Sequence, residues 1–381
     1  GMEENGMKHY FKGRTAALVT AIVLLAGVTT VFASENAVKH ALSDLYGLMA
    51  QNRATAKLDA LEIKVLENAK GDADRAAAKI FNTGVYEQGF DNALTRDVAP
   101  LEAQSRIEAQ KKSQAVEPLQ REAALYRAIQ SLSLTRAEKD MQTRLLALTR
   151  EDAAIAKARY DAGVISAADL SDAQAAVASA ELNIEKLAVK LTSAELAVNR
   201  QAGTELDAVL ESTATDGIAL LETLFSDPAG TAGWIEAAQQ RDPDVFGKSE
   251  ALRFLDMKLA LAAKYIPETH SRVVEMRRDQ EDARLTLADA KTGIEVSLRN
   301  LLNDRLTAAD SLEMAKLDLE QAKRHRAQAQ SRFEAGLFSR ADLIARDREV
   351  ENAQYAVLSA TANLNGKEAD LRVMVGKEII P

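Results

Sequence analysis

The chain contains one large unit twice. Residues 159–170 read RYDAGVISAADL and residues 332–343 read RFEAGLFSRADL, an offset of 173 with seven of twelve positions identical. At the same offset, without a gap, Leu125 pairs with Leu298 upstream and Gly203 with Gly376 downstream. A correspondence over about eighty residues in each copy is a duplication rather than chance, and its period is far too long for a solenoid.

Each copy carries a heptad after its turn. In the first, Leu170, Val177, Ile184, Leu191 and Val198 recur every seven residues, with Ala173, Ala180, Leu187 and Ala194 three residues later. In the second, the set is Leu343, Val350, Val357, Leu364 and Leu371, with Ala353, Ala360 and Met374 between them. A strict seven-residue repeat of this length demands supercoiling against a partner helix. The helix before the second turn offers Leu312, Ala315, Leu319, Ala322, Ala329 and Phe333, interrupted by Arg326, and so many seam alanines imply close helix–helix approach. The predicted fold class is all-α, with little or no β: two tandem copies of a long antiparallel coiled-coil hairpin. Composition agrees, with 47% hydrophobic and 28% charged residues but only 4% aromatic, which suits long helices better than sheets.

The turns have their own chemistry. Gly163 and Gly336 suit the left-handed position just past a helix end, where a Cβ costs energy. Three residues on, Ser166 and Ser339 can cap the next helix, with Asp169 and Asp342 completing a capping box. Gly203 ends the first hairpin. Ser226-Asp227-Pro228-Ala229-Gly230 and Arg241-Asp242-Pro243-Asp244 break the connector into expected short helices, Pro243 fitting a first helical turn. A helical stretch is expected from Leu252 to Tyr265, with Pro267 interrupting it. Its first-copy counterpart runs from about Ala37 to Phe81, and a less regular segment from Asn82 to Pro100 follows.

Several functions are excluded by what the chain lacks. With no cysteine there are no disulfides, thiolate metal sites or cysteine nucleophiles. His9, His40, His270 and His325 are scattered and read as helix-surface residues, so no metal or other cofactor is expected. A net charge of −9 with no basic run gives no nucleic-acid footprint. No phosphate loop or nucleophile–base set is present, and carboxylates spread along helices are usually solvated faces, so no enzymatic activity is expected.

The N-terminus reads as an export signal. Lys8, Lys12 and Arg14 precede an apolar run from Ala16 to Ala33, and Val31-Phe32-Ala33 supplies the small residues a signal peptidase needs. Met7 is the start this implies. An uncleaved membrane anchor is the alternative, weakened by Gly27, Thr29 and Thr30. Cleavage after Ala33 removes three basic and two acidic groups, taking the net charge from −9 to −10. The expected organisation is 1–33 extension and signal peptide, 34–203 first helical repeat with its turn at 163–166, 204–243 connector, and 244–381 second repeat with its turn at 336–339.

The doubled turn resembles the outer-membrane efflux protein family, the TolC-like exit ducts, whose hairpin turns read approximately R-[YF]-x-x-G-[LV]-x-[ST]-x-x-D-[LV]. Arg159-Tyr160, Gly163-Val164, Ser166 and Asp169-Leu170 fit that pattern, as do Arg332-Phe333, Gly336-Leu337, Ser339 and Asp342-Leu343. Ala237-Ala238, Arg241-Asp242-Pro243-Asp244-Val245 and Ile266-Pro267 look similar to the opening of the family's second half, with one extra aspartate. The resemblance implies a homotrimer of twelve long helices around a hollow cylinder, and an outer-membrane or envelope location. It also implies a periplasmic adaptor protein at the hairpin tips and an inner-membrane transporter beyond it. By carry-over, Gly163, Val164, Ser166, Gly336, Leu337 and Ser339 form the docking surface, Arg159 and Arg332 bridge neighbouring helices, and Asp169 and Asp342 line the entrance or cap their helices.

The chain departs from the family where barrel strands are due. After Pro267 it reads ETHSRVVEMRRDQEDARLTLADAKTGIEV, charged and helical, and Asn82–Pro100 holds no alternating run. The membrane barrel is therefore expected to be missing, which argues against direct membrane insertion. Two functional readings follow: a TolC-like component of an envelope efflux or secretion assembly, or a non-transporting exported structural or interaction protein that kept the helical frame.

Overall fold

The computed structural model describes residues 39–41, 44–52, 55–82, 84–211, 218–225 and 230–379, so the expected signal segment lies outside the described residues. In chain order the elements are β1 (Lys39–Ala41), α1 (Leu45–Gln51), α2 (Ala56–Ala78), α3 (Tyr86–Ala93), α4 (Ala99–Asp161), α5 (Ala167–Ala202), β2 (Val209–Glu211), α6 (Thr231–Arg241), α7 (Pro243–Tyr265), α8 (Ser271–Glu334) and α9 (Arg340–Val375). A π-helical turn, Leu94–Val98, joins α3 to α4. The fold is dominated by helices, as the periodicity required. Its two strands are three residues each, paired in parallel as Lys39 with Val209, His40 with Leu210 and Ala41 with Glu211.

Four long helices lie side by side in the order α5, α4, α9, α8, each antiparallel to its neighbours. With 63 and 64 residues, α4 and α8 each span about 95 Å at 1.5 Å per residue. The first heptad is realised without a slip. From Leu170 to Val198 every a and d residue is withdrawn from solvent, and between 171 and 190 every other residue is exposed. The stripe is narrow because a coiled-coil seam uses two positions in seven. Arg136–Glu195, Lys190–Glu138 and Arg150–Glu181 cross the α4–α5 seam at matching distances from the turn, which fixes its register. In the second hairpin Leu312, Ala322 and Ala329 are buried. Arg326 points outward to Asp347 at 2.8 Å, so the seam runs past it unbroken.

The ends of the hairpins away from the turns are thicker. Leu45 and Met49 of α1 pack on Leu125 and Ile129 of α4 and on Val198 and Ala202 of α5. In the second repeat Phe225 packs with Leu298 and Leu371, joined by Trp234 and Ile235 of α6. Helix α2 lies along α4, and α7 along α8. Below them Phe90 of α3 is buried among Ala262, Ile266 and Val273, with the Arg272 guanidinium 4.9 Å from its ring centroid.

Three local expectations are corrected. The segment 82–100 is helical from Tyr86 onward. Gly89 lies inside this helix at a close approach, where a Cβ would come within 2.8 Å of the Gly84 carbonyl oxygen and 2.9 Å of Tyr265. The helix widens into its π turn just before Pro100, which has no N–H to offer the carbonyl one turn back. The stretch 37–81 is divided into β1, α1 and α2 rather than forming one helix. The connector, expected as short helices, holds β2 and a non-helical run at 218–225 before α6. Side chains of α9 hold that run open: Leu221 N–H donates to Asn365 Oδ1 at 3.0 Å, and Leu224 N–H to Glu368 Oε1 at 2.9 Å.

The missing barrel is as expected among the described residues. No strand there exceeds three residues, and after Pro267 the chain enters α8 at Ser271. No described helix is long and apolar enough to cross a membrane.

Candidate functional site: the paired hairpin tips

Each hairpin reverses through the same turn. At the end of α4, Gly163 N–H donates to Tyr160 O and Val164 N–H to Arg159 O, both at 2.8 Å. At the end of α8, Gly336 N–H donates to Phe333 O at 2.9 Å and Leu337 N–H to Arg332 O at 2.8 Å. This is the Schellman pattern, which satisfies two orphan carbonyls and needs a left-handed residue at its hinge. Both glycines sit at φ 71°, with open space where a Cβ would be.

The following helix starts are equally matched. Ser166 Oγ accepts from Asp169 N–H at 3.2 Å, while Asp169 Oδ2 accepts from Ser166 N–H at 2.9 Å. Ser339 and Asp342 repeat this at 3.2 and 3.0 Å. These bonds to the serine hydroxyl and amide hold both aspartates below their ordinary value of 3.8. Both carboxylates are occupied in capping their own helices.

The arginines do not bridge helices within the chain. Arg332 lies 5.4 Å from the ring centroid of Phe338, across its own turn, and Arg159 forms no ion pair among the described residues. The sequence reading missed the residues that fix the two tips side by side. Arg340, at the start of α9, makes a two-pronged contact with Glu151 of α4 at 2.5 and 2.8 Å. Two turns further along α9, Arg348 donates to Asp152 Oδ2 at 2.6 Å. The Arg340 bond holds Glu151 low, whereas burial pushes Asp152 up in spite of Arg348. Ile344, fully buried on α9 between these pairs, adds an apolar anchor. Their signal in the sequence was the four-residue spacing of Arg340, Ile344 and Arg348, a second face beside the a/d stripe.

The tips offer shape and apolar surface rather than reactive chemistry. Val164 and Leu337 are 62% and 76% exposed, and Tyr160 projects beside them. Among the described residues no three His, Asp or Glu are grouped to hold a metal ion.

Comparison with known proteins gives a coherent picture. Residues 268–377 match the family model described as outer membrane efflux protein. No curated protein matches the sequence. Among solved structures, the outer membrane protein VceC of Vibrio cholerae matches 89% of this chain and 96% of its own at TM-score 0.61 and 15% identity. The Neisseria gonorrhoeae MtrE outer membrane channel matches 89% of both chains at 0.63 and 14%. The Campylobacter jejuni CmeC outer membrane channel matches 89% and 87% at 0.57 and 12%. The MtrE and CmeC structures are described as outer membrane channels, and VceC as an outer membrane protein. Through its second repeat the chain is similar to the outer membrane efflux proteins, and over its described length it has the fold of the TolC-like channels, without barrel strands among the described residues.

Proposed function

We propose that this protein is an exported component of a cell-envelope efflux or secretion assembly, whose paired hairpin tips dock a periplasmic adaptor protein. The observation that carries the reading is the duplicate tip. Two turns of the same geometry stand at one end of the rod, clamped by Arg340–Glu151, each presenting an exposed apolar side chain at Val164 or Leu337. A capped helix needs neither side chain, and apolar surface held rigidly at a tip is what a partner helix hairpin recognises.

The same rod has two open edges. Helix α5 exposes Leu182, Val189 and Leu196 at seven-residue spacing, and α8 exposes Leu306, Met314 and Leu317. Identical copies joined edge to edge close into a ring, and three copies supply the twelve helices of the resembled duct. The inner-membrane transporter belongs to the same reading, reached through the adaptor. The lack of barrel strands among the described residues favours one alternative, a structural or interaction protein of the envelope that kept the ring frame without transport.

Substitution at the tips tests docking. Gly163→Arg and Gly336→Arg are expected to weaken binding of an adaptor hairpin at least tenfold with unchanged circular dichroism; loss of helix instead would mean the glycines serve only the turns. Residues 34–381 are expected to run as a trimer by light scattering without detergent. A strict monomer sinks the duct, and a need for detergent sinks the barrel-less reading. Loss of substrate export on gene deletion separates transport from the structural alternative.

A further inference from the structure

We infer that Leu206 of one copy seats on α8 of the next, against Glu295 and Val296 and beside the Trp234 indole, and that this seat locks the ring proposed above, on which it rests. The chain already holds one such seat within itself. Three residues beyond Gly376, the tail after α9 brings Ile379 into full burial with Ala123 and Tyr126 of α4 and Ala369 of α9, and Tyr46 of α1 packs alongside. Its N–H donates to Glu122 Oε1 at 3.0 Å, and its carbonyl accepts from Arg372 Nη1 at 2.9 Å.

The first repeat supplies the same plug without its socket. Leu206 stands three residues beyond Gly203, as Ile379 does beyond Gly376, and both glycines are left-handed. At the offset of 173, Arg372 becomes Asn199, and Asn199 Nδ2 donates to the Leu206 carbonyl at 3.0 Å. The backbone clasp is thus conserved between the repeats, yet the Leu206 side chain is 58% exposed where that of Ile379 is 0%.

On the other edge of the molecule no described residue fills the matching socket. At the same offset Glu122, Ala123 and Tyr126 become Glu295, Val296 and Arg299, all on α8. Glu295 keeps the carboxylate, with Oε1 paired to Arg299 at 2.7 Å and Oε2 left to accept, and Val296 is exposed. Trp234 of α6 takes the place of Tyr46 of α1, since each short helix packs over the long pair of its own repeat. Phe225, Trp234, Arg299, Leu302 and Leu306 line a cavity of about 280 Å³ on this face. Leu206 cannot reach it in its own chain, because it follows α5, and α4 and α9 stand between α5 and α8. A second copy at the open edge brings its own Leu206, as α9 brings Ile379 to α4.

The absence of cysteine makes the test direct. Residues 34–381 carrying Leu206→Cys and, separately, Val296→Cys are differently tagged, mixed and oxidised. A disulfide forms only when the two Cα atoms approach within about 7 Å, so covalent heterodimers are expected from the mixture and not from either variant alone. Ala123→Cys with Ile379→Cys in one chain is the positive control, closing within the chain. Light scattering is run alongside. Assembly without the cross-link overturns the Leu206 seat and leaves the ring standing, whereas a monomer without the cross-link removes both. A second variant, Leu206→Glu, is expected to raise the dissociation concentration at least tenfold and to shift emission of the single tryptophan, with circular dichroism unchanged; assembly equal to the parent's overturns the inference.

Discussion

Replacement of Glu368 by alanine is expected to cost about 3 kcal/mol. Glu368 lies between Arg305 and Arg372, and all three are buried. Its Oε2 accepts from Arg305 Nε at 3.3 Å, its Oε1 accepts from Leu224 N–H at 2.9 Å, and Arg372 Nε stands 3.9 Å from Oε1. Removing one member of a buried ion network leaves an uncompensated charge, at about 3–5 kcal/mol. The low end applies here, because Arg372 keeps the Glu222, Glu378 and Ile379 carbonyls as acceptors. Arg305 has no other acceptor among the described residues.

The assay is denaturant unfolding at one fixed protein concentration, since assembly adds to apparent stability. Trp234 is the single tryptophan, and it packs with Leu298 and Leu371 close to Glu368, so its emission reports this region. A second variant checks the cause. Arg305→Leu with Glu368→Leu removes both charges and fills the site with apolar volume, as Leu132 does at the position of Arg305 in the first repeat. It is expected to be more stable than Glu368→Ala, because well-packed apolar replacements of buried ion pairs are often neutral. A Glu368→Ala cost below about 1 kcal/mol, or a double variant no better than the single one, refutes the assignment of this stability to the charge network.

Burial raises the Tyr126 phenol to about 12, against small opposing effects of Arg372 and the Gln130 hydrogen bond. A raised folded value means stability is intact below 10 and declines as pH rises from 10 towards 12; Tyr126→Phe is expected to flatten that decline in alkaline unfolding. Asp169 and Asp342 are lowered, so their caps hold at neutral pH and are lost only as pH falls below 3.8 through the folded values; acid titration of helicity in Asp342→Asn measures this, and an unchanged acid limb for Asp342→Asn would contradict it. Gly336→Ala, at φ 71° with open space around it, is expected to lose roughly 1–2 kcal/mol from backbone strain alone, and equal unfolding midpoints would show that the turn relaxes.

What the sequence made legible was whatever repeats. The seam from Leu170 to Val198 followed from its heptad, because a seven-residue period admits only one buried stripe, and the caps followed from Gly163, Ser166 and Asp169 at fixed spacing. The hidden parts rest on contacts between distant segments. Asn365 and Glu368 read as polar helix residues, yet they hold residues 218–225 open by bonding Leu221 and Leu224, some 144 residues away. The segment 82–100 read as irregular because nothing nearby announces the approach of Tyr265 to Gly89. At the tips, Glu151 and Arg340 are 189 residues apart, so neither could be read as the other's partner.

The two repeats diverge in the chemistry of their seams. Where α9 meets α4 within the chain, the contacts are charged: Arg144–Glu351, Arg348–Asp152 and Arg340–Glu151. At the offset of 173, the same positions on the open edges are Leu317 with Ala178, His325 with Ala175, and Arg324 with Ala167. Ser133 becomes Leu306 and Ala362 becomes Val189. The counterparts of Glu351, Arg348 and Arg340 on α5 are alanines, those of Asp152 and Glu151 on α8 are His325 and Arg324, and bulk apolar side chains have been gained. A seam inside one chain forms without loss of translational freedom, so exposed ion pairs worth under about 1 kcal/mol suffice to set its register. A seam between copies must offset an association cost of about 4–15 kcal/mol before anything assembles, which charge pairs at a wet surface do not supply and apolar burial does. In the ring proposed above Arg324 and His325 face alanines, and exchanging Ala175 for Asp in an otherwise unaltered chain is expected to give that basic edge an acidic partner and tighten assembly. Tighter assembly that disappears at high salt would identify the His325 edge of α8 as the surface that meets α5; no effect of Ala175→Asp on assembly would show that the two repeats do not use the same register.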